Sequence, residues 1–404
     1  MKKRFNLATV LALMLLVCVS TYLMTWQSAQ WRTKDYFDNM TKIDQDTARF
    51  REARDIILNQ FIGESDEEML TEGALEGMVR ALNDNWSYYA NKEAYERSKE
   101  DKSSVVGIGV DIVQQGGAGG PLIIEEVYAS SPAAEAGIAK GDQIIAVDGV
   151  PVTDTGEASR LVRGDEYTTV TLTVRRDGED TEYSLIRRQV VRPLVFSEVI
   201  EETLGYIRVQ SFDTRVNTDF EEAVKQLQQS GAEGLILDVR DNPGGDVNWM
   251  CAMLDFLLPR GRLITLESRD GTQEHKESLA SFIDLPIVVL IDKHSYSAAE
   301  FFAACLMEYN ADGNARAKTV GMPTTGKGYA QQDIPLQSEG GGALHLSIRR
   351  YYTPHGVSLA GVGLQPDYPV ELDDGAEYRS SASYFSPDKQ TEKAVEVLRD
   401  MIAG

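Results

Sequence analysis

Two textures of hydrophobic and polar positions alternate along the second half of the chain. The apolar runs "LGYIRVQSF" (204–212), "AEGLILDVR" (232–240) and "LPIVVLID" (285–292) read as strands. Between and after them, "NTDFEEAVKQLQQSG" (217–231), "VNWMCAMLDFLL" (247–258) and "SAAEFFAACLMEY" (297–309) read as helices. The first of these carries a capping box from Thr218 to Glu221. Strands alternating with helices predict right-handed crossovers and a largely parallel sheet. Beyond Gly328 the texture returns to β, as in "HLSIRRYYTP" (345–354), and a final amphipathic helix covers about 389–402.

The first half reads differently. From Thr41 to about Asn91 the pattern is helical and amphipathic, and the polar stretch from Lys92 to Ser104 reads as a linker. From Val105 to about Val190, short β-like runs such as "GIGVDIV", "PLIIEEV" and "TVTLTVRR" are split by glycines and predict a small β-rich module. Ahead of all this, "MKKRFN" is basic, and Leu7 to Trp26 holds no charged residue, which is enough for one membrane span. The basic flank puts the N-terminus in the cytoplasm and the working domains outside it. A cleaved signal peptide is the rival, with Gln27 where a small residue is wanted. The expected organisation is therefore a transmembrane anchor or signal segment (1–30), a helical region (31–104), the β-rich module (105–190), an α/β core (191–375, with 40–100 contributing) and a C-terminal helix (376–404). The fold class is multidomain α/β, on a cell-membrane, single-pass chain with its working part extracytoplasmic.

Composition narrows the function classes. Forty Lys and Arg against 63 Asp and Glu give a net charge of −23, which repels nucleic-acid phosphates, so no nucleic-acid partner is expected. The three cysteines, Cys18, Cys251 and Cys305, form no CxxC pair and suggest no metal site; Cys251 and Cys305 read as buried free thiols, with their pairing left open.

Three stretches carry candidate chemistry. "GMPTTGKG" (321–328) is nearly a phosphate-binding P-loop, but Gly328 replaces the Ser/Thr that would hold magnesium, and the following "YAQQDIPLQ" reads as extended rather than helical, so no nucleotide or other cofactor is expected. "DNPGGD" (241–246) follows a strand, where the carboxyl ends of α/β sheets bind ligands. In "KHSYSAAEFF" (293–302), Ser297 stands three residues before Glu300 and ahead of an apolar run, which is a capping box. It also follows a strand, so it and the Gly244-Gly245 turn share one sheet edge, and a nucleophile fits there as well as a cap. His294 is too close in sequence to reach Ser297 easily and none of the other three histidines adjoins an orienting Asp, whereas Lys327, between two glycines, suits a lysine base whose pKa burial lowers from about 10.4.

In order, "EGALEGMVRALNDNWSYY" (72–89), "GIGVDI" (107–112), "SSPAAEAGIAKGDQIIAVDG" (130–149), "LILDVRDNPGGD" (235–246), "SYSAAEFFA" (295–303), "TTGKGYAQ" (324–331) and "RYYTPHG" with "GVGLQPD" (350–367) resemble the C-terminal-processing, or tail-specific, serine peptidases. The resemblance implies a Ser-Lys endopeptidase with an inserted PDZ domain. It implies Ser297 as nucleophile, Lys327 as general base and Gln331 as the residue that orients the lysine. The implied oxyanion donors are the amides of Gly244 or Gly245 and of Ala298. The PDZ carboxylate site would be Gly107, Ile108, Gly109 and Val110, with Ile108 and Val110 packing beside the bound residue. Tyr296, Ala299, Thr325 and the extra residues near "NADGN" (310–314) depart from the family pattern. Expected partners are protein substrates with free, apolar C-terminal tails and the membrane through the anchor; a homodimer stays open, and a silent PDZ scaffold on the same fold is the alternative to an enzyme.

Overall fold

The computed structural model describes residues 7–99, 104–115, 120–279, 282–338, 340–372, 385 and 387–404. It separates into two compact units, residues 1–83 and 84–404.

The first unit is helical. Helix α1 spans Leu7–Gln60 and α2 spans Glu67–Arg80, the latter capped by Asp66, whose carboxylate accepts the Met69 amide. Arg54 pairs with Glu67 across the connection. No helix among the described residues is long and apolar enough to cross a membrane. The expected anchor is thus not supported by the described residues. Residues 1–6 lie outside the described residues.

The helical pattern expected to run to Asn91 stops at Arg80. Strand β1 (Tyr88–Ala90) follows, and Asn91 caps α3 (Lys92–Ser98) inside the stretch expected to be a linker. The β-rich module then runs through β2 (Ser104–Gly107), β3 (Val110–Gln114), β4 (Leu122–Val127), α4 (Pro132–Glu135), β5 (Gln143–Val147), β6 (Val150–Pro151), α5 (Thr155–Val162), β7 (Thr169–Arg176), β8 (Glu179–Ile186) and β9 (Arg188–Val191). Its sheet has the order β3-β4-β5-β7-β8, so β3 is an edge strand. Strands β2 and β9 pair antiparallel, Ser104 opposite Val191, so the chain enters and leaves the module side by side.

The α/β core comprises β10 (Val195–Ile200), β11 (Leu204–Val209), α6 (Val216–Gln229), β12 (Gly234–Asp238), α7 (Val247–Leu257), β13 (Gly261–Ser268), β14 (Gln273–Ser278), β15 (Ile287–Ile291), α8 (Ala298–Ala311), β16 (Ala317–Gly321), β17 (Tyr329–Pro335), β18 (Ala343–Tyr352), β19 (Tyr368–Pro369) and α9 (Lys389–Ala403). The main sheet, β10-β11-β12-β15-β16-β19, is parallel except for the β10–β11 pair. Its central strands are apolar on both sides because both sides are covered. Leu235 and Leu237 join α6, α7 and α8 in one cluster, while Ile236 joins α9 in the other. A second, antiparallel sheet has the order β1-β18-β13-β14, with β17 on β18. Helix α6 begins earlier than expected, capped at Arg215 in a left-handed conformation (φ 72°), so Thr218 lies within the helix rather than at its cap. Cys251 and Cys305 are buried free thiols.

A buried ion pair ties α9 to the end of β12. Arg240 holds Asp238 at 2.7 Å and Asp388, the N-cap of α9, at the same distance, and its guanidinium also donates to Gln390. Burial alone would raise the Asp238 carboxyl, but Arg240 and Arg208 beside it hold it below the ordinary carboxylate range. Removing one partner of such a pair strands the other, so Arg240→Ala should cost about 3–5 kcal/mol in urea denaturation at pH 7. Because the folded value is depressed, the stabilisation should be full above pH ~4 and fade as pH falls through it. An Arg240→Ala midpoint equal to that of the wild type would contradict this.

Candidate active site

Three turns meet at the carboxyl end of the main sheet. The first, after β12, is "DNPGGD". Buried Asn242 donates its side-chain amide to the Val209 carbonyl (2.8 Å) and accepts the Gly244 N–H on Oδ1 (2.8 Å). Phe212 brackets the glycines, its N–H donating to the Gly244 carbonyl and its carbonyl accepting the Asp246 N–H, each at 2.7 Å. Both glycines have positive φ, 90° and 136°. A Cβ on Gly244 would lie 2.8 Å from the Ser297 Cβ and from the Tyr296 carbonyl, so this turn presses directly on the serine.

The second turn follows β15 and distinguishes its two serines. Ser295 is fully buried; its hydroxyl donates to the Val239 carbonyl (2.7 Å) and accepts the Asp292 amide (3.0 Å), pinning the ends of β12 and β15 together. Ser297 is partly exposed at the N-cap of α8, with φ 59° and ψ −125°. A serine there is strained, and strain of that kind concentrates at functional sites. The Tyr296 amide donates to the Asn242 carbonyl (3.2 Å), joining the first two turns. The Gly244 amide is taken by Asn242. Among the described residues, the amides of Gly245 and Ala298 donate to no other group.

The third turn carries Lys327 and is bound to the second by Glu300. This carboxylate is fully buried. Its Oε2 accepts the amides of Ser297 and of Lys327, each at 2.8 Å, and Oε1 accepts the Gly326 amide (2.7 Å) and the Thr324 hydroxyl (2.5 Å). Burial pushes Glu300 above the usual carboxylate range, against these four donors, which favour its charged form. Gly328 leads Lys327 into strand β17, not into a helix, which removes the P-loop geometry.

Lys327 Nζ lies 4.7 Å from the Trp86 ring centroid and 5.7 Å from that of Tyr296, and these two rings stack on each other at 5.7 Å. Burial pulls the lysine below its ordinary value, opposed by the charges of Asp84 and Glu300. Gln331 lies in β17, where its side-chain amide donates to the Tyr329 carbonyl (2.9 Å) and the Ser347 hydroxyl (3.2 Å). Asp84, Trp86 and the clamping role of Glu300 were not read from the sequence. Spacing from Ser297 marked Glu300 only as a cap partner, and the Asp84–Trp86 segment looked like the tail of a helix.

The module has its own site. Between β3 and α5 lies a cavity of about 270 Å³ lined by Gly109, Val110, Ile112, Ser159, Val162 and Arg163. Among the described residues, the amides of Ile108 and Gly109 have no acceptor, while the carbonyls of both face inward to Ala133 and Tyr128. Gly109 must be glycine: its φ is 78°, and a Cβ would lie 2.3 Å from that of Ser131. The Ile108 side chain is buried in the module's core and lines this groove together with half-buried Val110 and Ile112.

Comparison with known proteins agrees with this architecture. Models of peptidase family S41, a PDZ domain and the activating protease CtpB N-terminal domain match residues 203–370, 123–176 and 14–94. A carboxy-terminal-processing protease of Bartonella bacilliformis is 30% identical over 334 residues, covering 80% of this chain and 75% of that one. Carboxy-terminal processing protease CtpB of Bacillus subtilis is 29% identical over 341 residues, covering 82% of this chain and 69% of its own. A putative S41 protease from Bacteroides fragilis shares the fold, with a TM-score of 0.57 at 18% identity over 84% of this chain and 93% of that one. The chain belongs to the carboxy-terminal-processing protease family. It is accordingly a serine-type peptidase with a PDZ domain on a multidomain α/β fold.

Gly244→Ala should abolish peptide cleavage, because the new Cβ meets Ser297 and a backbone carbonyl at a φ that alanine resists. Ser295→Ala should keep activity but lose about 1–3 kcal/mol in thermal denaturation, the cost of unsatisfied buried partners. Normal turnover by Gly244→Ala would show that the turn does not set the serine's position.

Proposed function

We propose that this chain is an extracytoplasmic endopeptidase in which Ser297 attacks the scissile carbonyl and Lys327 is the general base. The observation that carries this reading is the single oxygen of Glu300 that accepts the amides of both residues, so the two backbones sit on one acceptor. In the neutral form, Lys327 takes the proton from the Ser297 hydroxyl as the oxygen bonds to the carbonyl carbon. It then returns that proton to the departing amine. The negative charge that develops on the carbonyl oxygen is received by the amides of Ala298 and Gly245. Ala298 opens α8, where the helix dipole adds about half a positive charge, and one donor of this kind is typically worth about 3–4 kcal/mol in the transition state. Gln331 acts as an orienting residue at one remove.

The PDZ groove takes the substrate's end. An extended tail adds to the free edge of β3, and its terminal carboxylate meets the amides of Ile108 and Gly109. Val110 and Ile112 favour an apolar terminal residue, and the net charge of −23 disfavours acidic tails. The location outside the cytoplasm rests on the basic start and uncharged stretch of the N-terminus. Protease accessibility in intact cells tests it.

Ser297→Ala should eliminate cleavage of an unstructured test protein while Ser295→Ala does not. If Ser295→Ala is the dead variant instead, the nucleophile is misassigned. For wild type, the rate should rise with pH as Lys327 loses its proton, beginning below the ordinary lysine value because burial pulls it down. Lys327→Ala and Lys327→His should be inactive throughout. Amidating the substrate's C-terminus should slow cleavage severalfold; equal rates for free and amidated tails would exclude carboxylate recognition by the module.

A further inference from the structure

Asp84 stands just ahead of β1 and far in sequence from the other residues around Lys327. Its carboxylate accepts the Ser87 hydroxyl (2.5 Å), the Trp86 amide (3.3 Å) and a side-chain hydrogen bond from Ser347. The two hydroxyls have other work to do as acceptors. Ser87 Oγ accepts the Ser347 amide (3.0 Å), and Ser347 Oγ accepts the Gln331 side-chain amide (3.2 Å). Ser87 has its one proton on Asp84, and the network links Gln331 through Ser347 and Ser87 to the carboxylate. The same carboxylate holds the backbone of Trp86, whose ring lies against the Lys327 amine.

We propose that Asp84 is a positioning residue for Lys327, holding the Trp86 ring against the amine and presenting a fixed negative charge to it, and that Gln331 acts on Lys327 through this network. The inference rests on the reading of Lys327 as the base. The charged groups facing the amine are Asp84, from the segment before β1, and Glu300, from α8. The Tyr296 phenol adjoins it, with Asp241 acting on that phenol in turn. Glu300 is occupied by four backbone and hydroxyl donors, which leaves Asp84 as the carboxylate free to tune the amine without dismantling the turns. Partial burial would raise the Asp84 carboxyl, but its hydrogen bonds and Lys327 outweigh that and keep it ionised at neutral pH.

The sign of the effect follows. A negative charge near the amine favours the ammonium form, so its removal makes Lys327 a free base at lower pH. Asp84→Asn should move the acidic limb of the kcat/KM profile to lower pH by about one unit. Asp84→Glu should return the limb towards its original place. The same shift should appear in the pH dependence of Ser297 labelling by a fluorophosphonate, which reads the nucleophile without a protein substrate. Gln331→Ala should have no further effect once Ser347→Ala has cut the network. If Asp84→Asn does not fold, Trp86→Leu carries the test, because loss of the ring also destabilises the ammonium and should shift the limb the same way. An unmoved limb in Asp84→Asn, or in Trp86→Leu where that variant is needed, would overturn the proposal even if activity falls. Labelling that survives in Lys327→Ala would overturn the lysine base itself, a result distinct from an unmoved limb.

Discussion

A single buried carboxylate ties together the turns that carry Ser297 and Lys327. Glu300 lies at the start of α8 with no solvent exposure, yet each of its oxygens accepts two hydrogen bonds. A charge in such a place is costly unless fully satisfied, and its donors come from two turns, which Thr325 also joins by donating to the Lys293 and Ser295 carbonyls. Loops that carry chemistry need a rigid scaffold. Here the scaffold is a shared acceptor: the strained Ser297 and the glycine-flanked Lys327 are each fixed by donating to the same oxygen. The helix cap and the tie between the two turns are one interaction.

The rest of the fold delivers parts to that point. Strands β12 and β15 end side by side, and Ser295 locks their ends through Val239 and Asp292. The second sheet supplies Lys327 and Gln331 at the start of β17, and β1 pairs with β18 to bring in the segment carrying Asp84 and Trp86. Between β1 and β10 the PDZ module is inserted through the paired β2 and β9. An insertion whose ends are adjacent leaves the host sheet undisturbed, so the groove at β3 and the site at Glu300 are separate pieces of one polypeptide.

Much of this was legible in the sequence where local pattern and tertiary structure agree. The runs around Leu235 and Val289 are apolar on both faces and form the central strands. The spacing from Ser297 to Glu300 predicted the cap. What the sequence concealed came from long-range partners. Thr324, Gly326 and Lys327 donate to Glu300 from a turn more than twenty residues away, which no local spacing reveals. The apolar pattern before Asp84 continues smoothly, so the end of α2 at Arg80 and the switch to a strand were hidden. Thr218 and Glu221 have capping-box spacing, but Arg215 takes the left-handed conformation and begins α6 a turn earlier. The "GIGV" stretch leads into the edge strand β3, and Ile108 turns inward because packing of the module's core decides its side chain.

The most direct measurement is fluorophosphonate labelling of Ser297 in Glu300→Gln, with circular dichroism as a check on folding. Glutamine keeps the shape but turns one accepting oxygen into a donor, which then faces backbone N–H groups that are donors themselves. If Glu300 fixes the serine and lysine turns together, labelling should fall at least about tenfold, the equivalent of roughly 1.4 kcal/mol, in a protein that keeps its secondary structure. Wild-type labelling by folded Glu300→Gln would show that the two turns hold their places without the carboxylate.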